Sequence, residues 1–467
     1  MTNSVGLALQ SVVFGTDPAA LHRTARAAAR AVATLRRVRP ELGRVEWRLA
    51  DCTEPAMLGD SLVESLRLSI SAVDPRTELA LLPLPLHRNL GPSAAHNLLW
   101  ARFGPAELLF LMAPDLVPHE ESLVLLAAEL DDPRVGAASA RRLPVEPRPL
   151  GADLTGDSLR VGGARSLVRG QAWQQIGGHE EAFFLYGNDH HLSARLIEAG
   201  WKLRYQPAAI AFHDNRPDSR GVEPPTAARR YYSALGQLIL LHTWSAHRAL
   251  GALRARLESA RDTHRRRALT DFEVLERESR LPTPRSHPLV TPVLDSVEAS
   301  PGHKTRPLRS TLDPAVSVAT RLSAGALPAD QLVVRIIGDD PVGRRDTLLC
   351  LSAQTAAVQL ANWRGWGARW RLDLRAGDLL IADAVERLLV ALGNCQAAAV
   401  EVPVLVQAIQ HTRISAVDGR RRVGTLNPPD AGDRRVIVRR RWALPVRPRR
   451  LASLGERPLV VISREAE

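Results

Sequence analysis

The chain has 467 residues with 45% apolar and 24% charged side chains, the balance of a soluble globular protein of two or three domains rather than a disordered or fibrous one. Its net charge of +12 rests almost wholly on arginine, because Lys202 and Lys304 are the only lysines; a GC-rich coding bias explains that skew as well as a polyanion-binding role does. Cys52, Cys350 and Cys395 are too few and too scattered for a disulfide framework or a thiolate zinc site, so a reducing, cytoplasmic setting is expected.

The apolar run from Val5 to Gly15 has no basic region ahead of it and reads as a first strand rather than a signal peptide. Gly15-Thr16-Asp17-Pro18 then turns the chain into an alanine-rich helix, with Asp17 as N-cap and Pro18 at the first helical position. Val45 to Ala50 is a second strand ending at Asp51, and Leu79 to Leu84 a third, with Pro83 unsettling its end. Strands alternating with helices predict an α/β fold with a mostly parallel sheet and ligands at the strand C-terminal ends. Ala227 to Glu276 reads as helical, and the stretch rich in Pro, Ser, Arg and His after it as a linker. The expected domains are 1–225, a helical segment 226–280, a linker 281–330, and a smaller α/β domain 331–467. No apolar run reaches the ~20 residues that span a bilayer.

The last domain echoes the first. Gly15, Asp17, Pro18, Trp47, Arg48, Leu49 and Asp60 recur as Gly338, Asp340, Pro341, Trp370, Arg371, Leu372 and Asp383, all at an offset of 323. A degenerate copy of the nucleotide-binding half is the expectation, with Val436 to Trp442 where the first copy has Leu109 to Asp115; convergent β-turn-helix units are the alternative. Arg439, Arg440 and Arg441 would replace the acidic end, so this copy should bind no metal diphosphate in the same way.

Three stretches carry the chemistry in order: Asn89-Leu90-Gly91-Pro92-Ser93-Ala94-Ala95-His96-Asn97; Leu108 to Asp115; and Gly177-Gly178-His179-Glu180-Glu181-Ala182-Phe183-Phe184-Leu185-Tyr186-Gly187-Asn188-Asp189, with His213 downstream. Together they resemble the inverting family-two glycosyltransferases of the GT-A fold, rhamnosyltransferase-like members included, whose text runs close to GGFDExFFxYxEDxDLxxRL followed by a lone His. The resemblance covers roughly Val5 to Trp244. It implies transfer of a sugar from a nucleotide-diphosphate donor (UDP-, GDP- or dTDP-linked) to a glycan, lipid-linked or small-molecule hydroxyl, with Mn²⁺ or Mg²⁺ as cofactor.

Carried over residue by residue, the resemblance makes Asp115 and His213 the metal ligands, an oxygen and nitrogen pair that suits Mn²⁺ or Mg²⁺ beside phosphate oxygens. Asp189 becomes the general base. Asp51, with backbone at Gly15 and Thr16, would meet the donor's base, and Asn89 and Gly91 would let the backbone approach the diphosphate or sugar. Gly178, Tyr186 and His191 fall on the acceptor side. Each has a plainer reading: a helix N-cap before Leu116 to His119 for Asp115, a loop histidine for His213, a helix cap for Asp189, turns for the glycines. The chain departs from the family at Ala113 (usually Asn), Asn188 (usually Glu), His191 (usually Asp) and in Asp51-Cys52-Thr53-Glu54. These departures sustain a second reading, a decayed glycosyltransferase-like scaffold, and the arginines a third, a polyanion binder, although nucleic acid is the least favoured partner. The arginines of Ala227 to Arg267 could rest on an anionic membrane, or simply be solvated. A homo-oligomer is a further expectation.

Overall fold

A computed structural model describes residues 4–144, 156–213 and 226–296, and beyond them segments between 331 and 464. Strand β1 (Val5–Val13) leads into helix α1 (Pro18–Val38), then β2 (Arg44–Asp51), α2 (Asp60–Ser71), β3 (Leu79–Pro85), α3 (Gly91–Phe103), β4 (Leu108–Met112) and β5 (Leu116–Pro118). α4 (Ser122–Glu129), β6 (Val135–Leu143), β7 (Asp157–Ser158), β8 (Arg165–Arg169), α5 (Gly170–Ile176), α6 (Asn188–Glu198) and β9 (Lys202–His213) complete the first layer system. Asp17 caps α1 as expected, its Oδ1 accepting from the Ala19 backbone N–H at 3.0 Å.

The nine strands form one mixed sheet, ordered β3-β2-β1-β4-β8-β6-β9-β5 with β7 also on β9. β1, β2, β3 and β4 run parallel. β8 runs against both β4 and β6, and β6 runs with β9, so β9 ends at the same sheet edge as β1 to β4. The strand order reverses between β1 and β4, which makes that edge a switch-point crevice. Pro83 and Pro85 are accommodated because β3 is an edge strand, where a missing N–H breaks no ladder. The apolar faces of α1, α2 and α4 bury one side of the sheet around Leu9, Trp47, Leu49 and Phe110.

Helices α7 (Ala227–Thr243), α8 (His247–Glu258) and α9 (Thr263–Arg277) form a separate core with Phe183 of the α5–α6 loop, through Leu238, Trp244, Leu253 and Phe272. The linker expectation needs correction at 281–296. Helix α10 (Thr291–Ser296) forms there, Val290 packs into the same core, and Asp295 accepts from the Ala249 backbone N–H of α8 at 2.9 Å. Pro292 falls in the first turn of α10, where its missing N–H has no helical partner to lose. The rest of the expected linker lies outside the described residues. No described helix is long and apolar enough to cross a membrane.

In the C-terminal part, β10 (Leu332–Ile337), α11 (Pro341–Ser352), β11 (Gln359–Leu360), β12 (Trp370–Arg375), β13 (Asp378–Leu380) and α12 (Ala384–Gly393) belong to a second α/β unit. Leu332 pairs with Trp370 and Val334 with Leu372, as Leu9 pairs with Trp47 and Ser11 with Leu49, so the parallel register itself repeats at the offset of 323. The equivalence of 436–442 with 109–115 does not hold. Val436–Arg440 lies antiparallel beside β12, whereas β4 lies parallel beside β1. Asp383, Arg441 and Trp442 lie outside the described residues.

The two units share one core. Val117, Leu143, Ile210 and Phe212 of the first pack with Val334, Leu349 and Leu372 of the second. A buried ion pair between Arg141 at the end of β6 and Asp346 of α11 crosses the seam.

Candidate active site

β4 delivers Asp115 and β9 delivers His213 to the same edge of the sheet. β5 folds back along β9 with Leu116 opposite His213, and the Asp115 Oδ1 comes to 3.3 Å from His213 Nε2. Both side chains are partly exposed, at 30% and 21%. Residues 116–118 form a strand, so the helix-cap alternative for Asp115 is excluded. This donor set fits a divalent cation that takes its remaining ligands from a diphosphate and water. Among the described residues no group of three or more His, Cys, Asp or Glu is arranged to hold a metal by itself. Asp115 and His213 would hold such an ion.

The turn before β8 connects this pair to Asp189. Ala113 donates its N–H to the Ala164 carbonyl at 3.1 Å, and a side chain on Gly163 would stand 3.0 Å from the Asp189 Cβ. Asp189 lies in the first turn of α6, one residue past the N-cap position's neighbour Asn188, where the helix dipole favours a negative charge. Its Oδ1 accepts from the His190 backbone N–H at 2.9 Å and faces His190 Nδ1 at 3.1 Å. Burial pushes the Asp189 carboxyl up, but the hydrogen bonds from the His190 backbone and ring, with the positive charge of Arg160, pull it down and hold the group well below the usual carboxylate range. It is therefore ionised at neutral pH and able to accept a proton.

The Asn89 to Asn97 run and the Gly177 to Asp189 loop, far apart in sequence, are clamped together. Asn97 Oδ1 accepts from the His179 N–H at 2.9 Å, and its Nδ2 donates to the His179 carbonyl at 2.9 Å and to Glu181 at 3.0 Å. The Ser93 hydroxyl donates to the Phe183 carbonyl at 2.6 Å. This fastening corrects two roles. A Cβ on Gly91 (φ +72°) would stand 2.4 Å from the Phe184 carbonyl oxygen, so its missing side chain makes room for the loop and not for a diphosphate. A Cβ on Gly178 (φ +78°) would stand 2.4 Å from Asn97 Oδ1, so Gly178 is buried beneath the loop rather than forming an acceptor wall. Asn89 is exposed and closes an Asx turn, its Oδ1 accepting from the Gly91 N–H at 3.0 Å.

His191 is a core residue. It stacks on Phe183 at 4.9 Å, its Nδ1 accepts from the Trp244 indole at 3.2 Å, and burial lowers its pKa to about 3. It is turned inward, against Phe183 and Trp244. Tyr186 remains exposed at 36%, with φ +64°, and Gly236 of α7 lies hard against its carbonyl. Asp51 is fully buried, and its two oxygens accept from the Thr53 and Leu58 backbone N–H groups at 3.0 and 2.7 Å. It shapes the loop after β2 rather than presenting a carboxylate to a base. Gly15 (φ +56°) and Thr16 line the open end of β1, with the Gly15 N–H donating to Thr53 Oγ1 at 3.2 Å. Two residues that motif reading passed over stand at this carboxylate: His190, beside Asp189 in sequence, and Arg160, which no motif marks.

No family model matches the chain. Over 93 residues, 20% of its length, it is 37% identical to the N-acetylglucosaminyl-diphospho-decaprenol L-rhamnosyltransferase of Mycobacterium tuberculosis, in the strains CDC 1551 / Oshkosh and ATCC 25618 / H37Rv alike. The match spans 27% of that enzyme's length. Within that stretch the resemblance to a rhamnosyltransferase stands. Among solved structures, S. aureus TarS is similar at 10% identity and a TM-score of 0.35, over 57% of this chain and 43% of that one. GalNAc-T7 with UDP, GalNAc and Mn²⁺ is similar at 12% identity and a TM-score of 0.41, over 60% and 55%.

Proposed function

We propose that the chain is a metal-dependent inverting glycosyltransferase that moves a sugar from a nucleotide-diphosphate donor to a glycan, lipid-linked or small-molecule hydroxyl. The observation that carries this reading is the Asp115–His213 pair at the switch-point edge, joined to an ionised Asp189 through the 163–165 turn. The local identity to a rhamnosyltransferase supports it.

A bound Mn²⁺ or Mg²⁺ would take up charge on the departing diphosphate. The chain's own residues do the rest. Asp115 and His213 orient the phosphates at the end of β4, the open end of β1 at Gly15 and Thr16 receives the nucleoside, and Asp189 accepts the proton of the attacking hydroxyl. A donor-hydrolysis screen over UDP-, GDP- and dTDP-sugars, with and without Mn²⁺, tests the proposal: one donor should be cleaved with metal and spared without it. No cleavage of any donor would favour the decayed-scaffold reading.

A further inference from the structure

We propose that Arg160 and His190 are positioning residues that leave Oδ2 of Asp189 as the one oxygen of that carboxylate open to an incoming proton; the proposal rests on the reading of Asp189 as the base. The hydrogen-bond inventory dictates the direction of the chain. A guanidinium stays protonated and has no acceptor, so the Arg160 Nη1 that meets His190 Nε2 can only donate. His190 Nε2 must then be a bare lone pair, the ring is neutral, and its proton sits on Nδ1. Nδ1 faces Asp189 Oδ1 at 3.1 Å and donates to it.

The same Oδ1 receives the His190 backbone N–H at 2.9 Å, so two donors occupy its lone pairs. Oδ2 has no hydrogen bond among the described residues. The opposite flank is fixed as well: the Val161 N–H donates to Ser193 Oγ at 3.1 Å, that hydroxyl donates to the Asp189 carbonyl at 2.6 Å, and Gly163 presses on the Asp189 Cβ. The ionisable groups around the carboxylate are His190 from α6, Arg160 from the β7–β8 loop and His179 from the α5–α6 loop.

The test uses the full chain. His190→Ala should lower kcat by about tenfold to 10²-fold, leave the donor KM within about twofold, and move the acid limb of kcat/KM to higher pH, since a donor that favours the ionised carboxylate is lost. His190→Asn, whose amide N–H can stand where Nδ1–H stood, should recover most of kcat and return the acid limb. A residue that only supports the fold would change activity without moving that limb. A second arm does not need turnover: ¹⁵N NMR of histidine-labelled protein should show His190 as the neutral Nδ1–H tautomer, and Arg160→Gln should abolish that preference. An Nε2–H tautomer, or an unmoved acid limb in His190→Ala, overturns the proposal. An inactive wild type with the Nδ1–H tautomer in place would instead refute the base reading and leave the Arg160–His190–Asp189 chain standing.

Discussion

The β1–α1–β2 and β10–α11–β12 units share a register, a proline at the first helical position and an aspartate cap, the Asp340 Oδ2 accepting from the Gly343 N–H at 3.1 Å. They differ in their neighbours. β1 has parallel β4 beside it, whose end carries Asp115, and the same edge receives His213 from β9. Among the described residues β10 has the two-residue β11 on that side, and the longer strand 436–440 is antiparallel and on β12 instead. A β-α-β unit supplies an open strand end and a helix N-terminus; Asp115 and His213, proposed above as metal ligands, come from strands outside it. On this account the first unit is a site and the second is a buttress, docked on β5, β6 and β9 through the shared core.

Substitutions in the two regions should therefore separate chemistry from stability. Asp189→Asn is expected to lose transfer by roughly 10² to 10⁴ while donor binding survives, the range for a positioned base; comparing single-turnover transfer with donor affinity checks it, and normal transfer would move the base elsewhere. Asp115→Asn should reduce turnover by on the order of 10²-fold and abolish its dependence on Mn²⁺ without changing the melting temperature. Asp346→Ala should do the opposite. It strands the buried Arg141 guanidinium and should cost about 3–5 kcal/mol in denaturant unfolding. Wild-type stability in that variant would mean the seam is not a structural contact.

The most graded effect is on pH. Burial lowers the pKa of His96 to about 4, and burial with nearby positive charge lowers His179 and His191 to about 3. Folded values below the unfolded one near 6.5 mean that the unfolded chain binds more protons, so stability falls as pH drops from about 6.5 towards 3. Each histidine contributes a slope of up to about 1.4 kcal/mol per pH unit. Urea titrations at pH 7, 6, 5 and 4 should show the midpoint descending, and a flat profile would contradict the buried, uncharged state of all three.

What was legible in the sequence was local. Asp17 and Pro18 sit beside the helix they start, the strands announce themselves as apolar runs, and the order of the motifs placed Asp115 and His213 on two strand ends that the β5–β9 pairing then joins. What was not legible depends on contacts across long sequence separations. Gly91 is a glycine because of Phe184, Gly178 because of Asn97, and His191 is turned inward by Trp244. Strand direction is equally silent in an apolar run, so nothing in Val436 to Val438 distinguished an antiparallel neighbour of β12 from a parallel neighbour of β10. Arg160 sits in a loop 30 residues before His190, and only folding reveals their contact.

Asp115 and His213 are proposed to make the edge beside β1 a metal-diphosphate site. Thermal melts of the wild type and of Asp115→Asn with UDP, GDP or dTDP, each with and without Mn²⁺, test it most directly. A ligand at a hundredfold over its Kd should stabilise the folded chain by about 2.7 kcal/mol. That shift is expected for one nucleotide in the wild type only when Mn²⁺ is present, and no shift in Asp115→Asn. An equal shift without metal, an equal shift in the variant, or no shift with any of the three would contradict it.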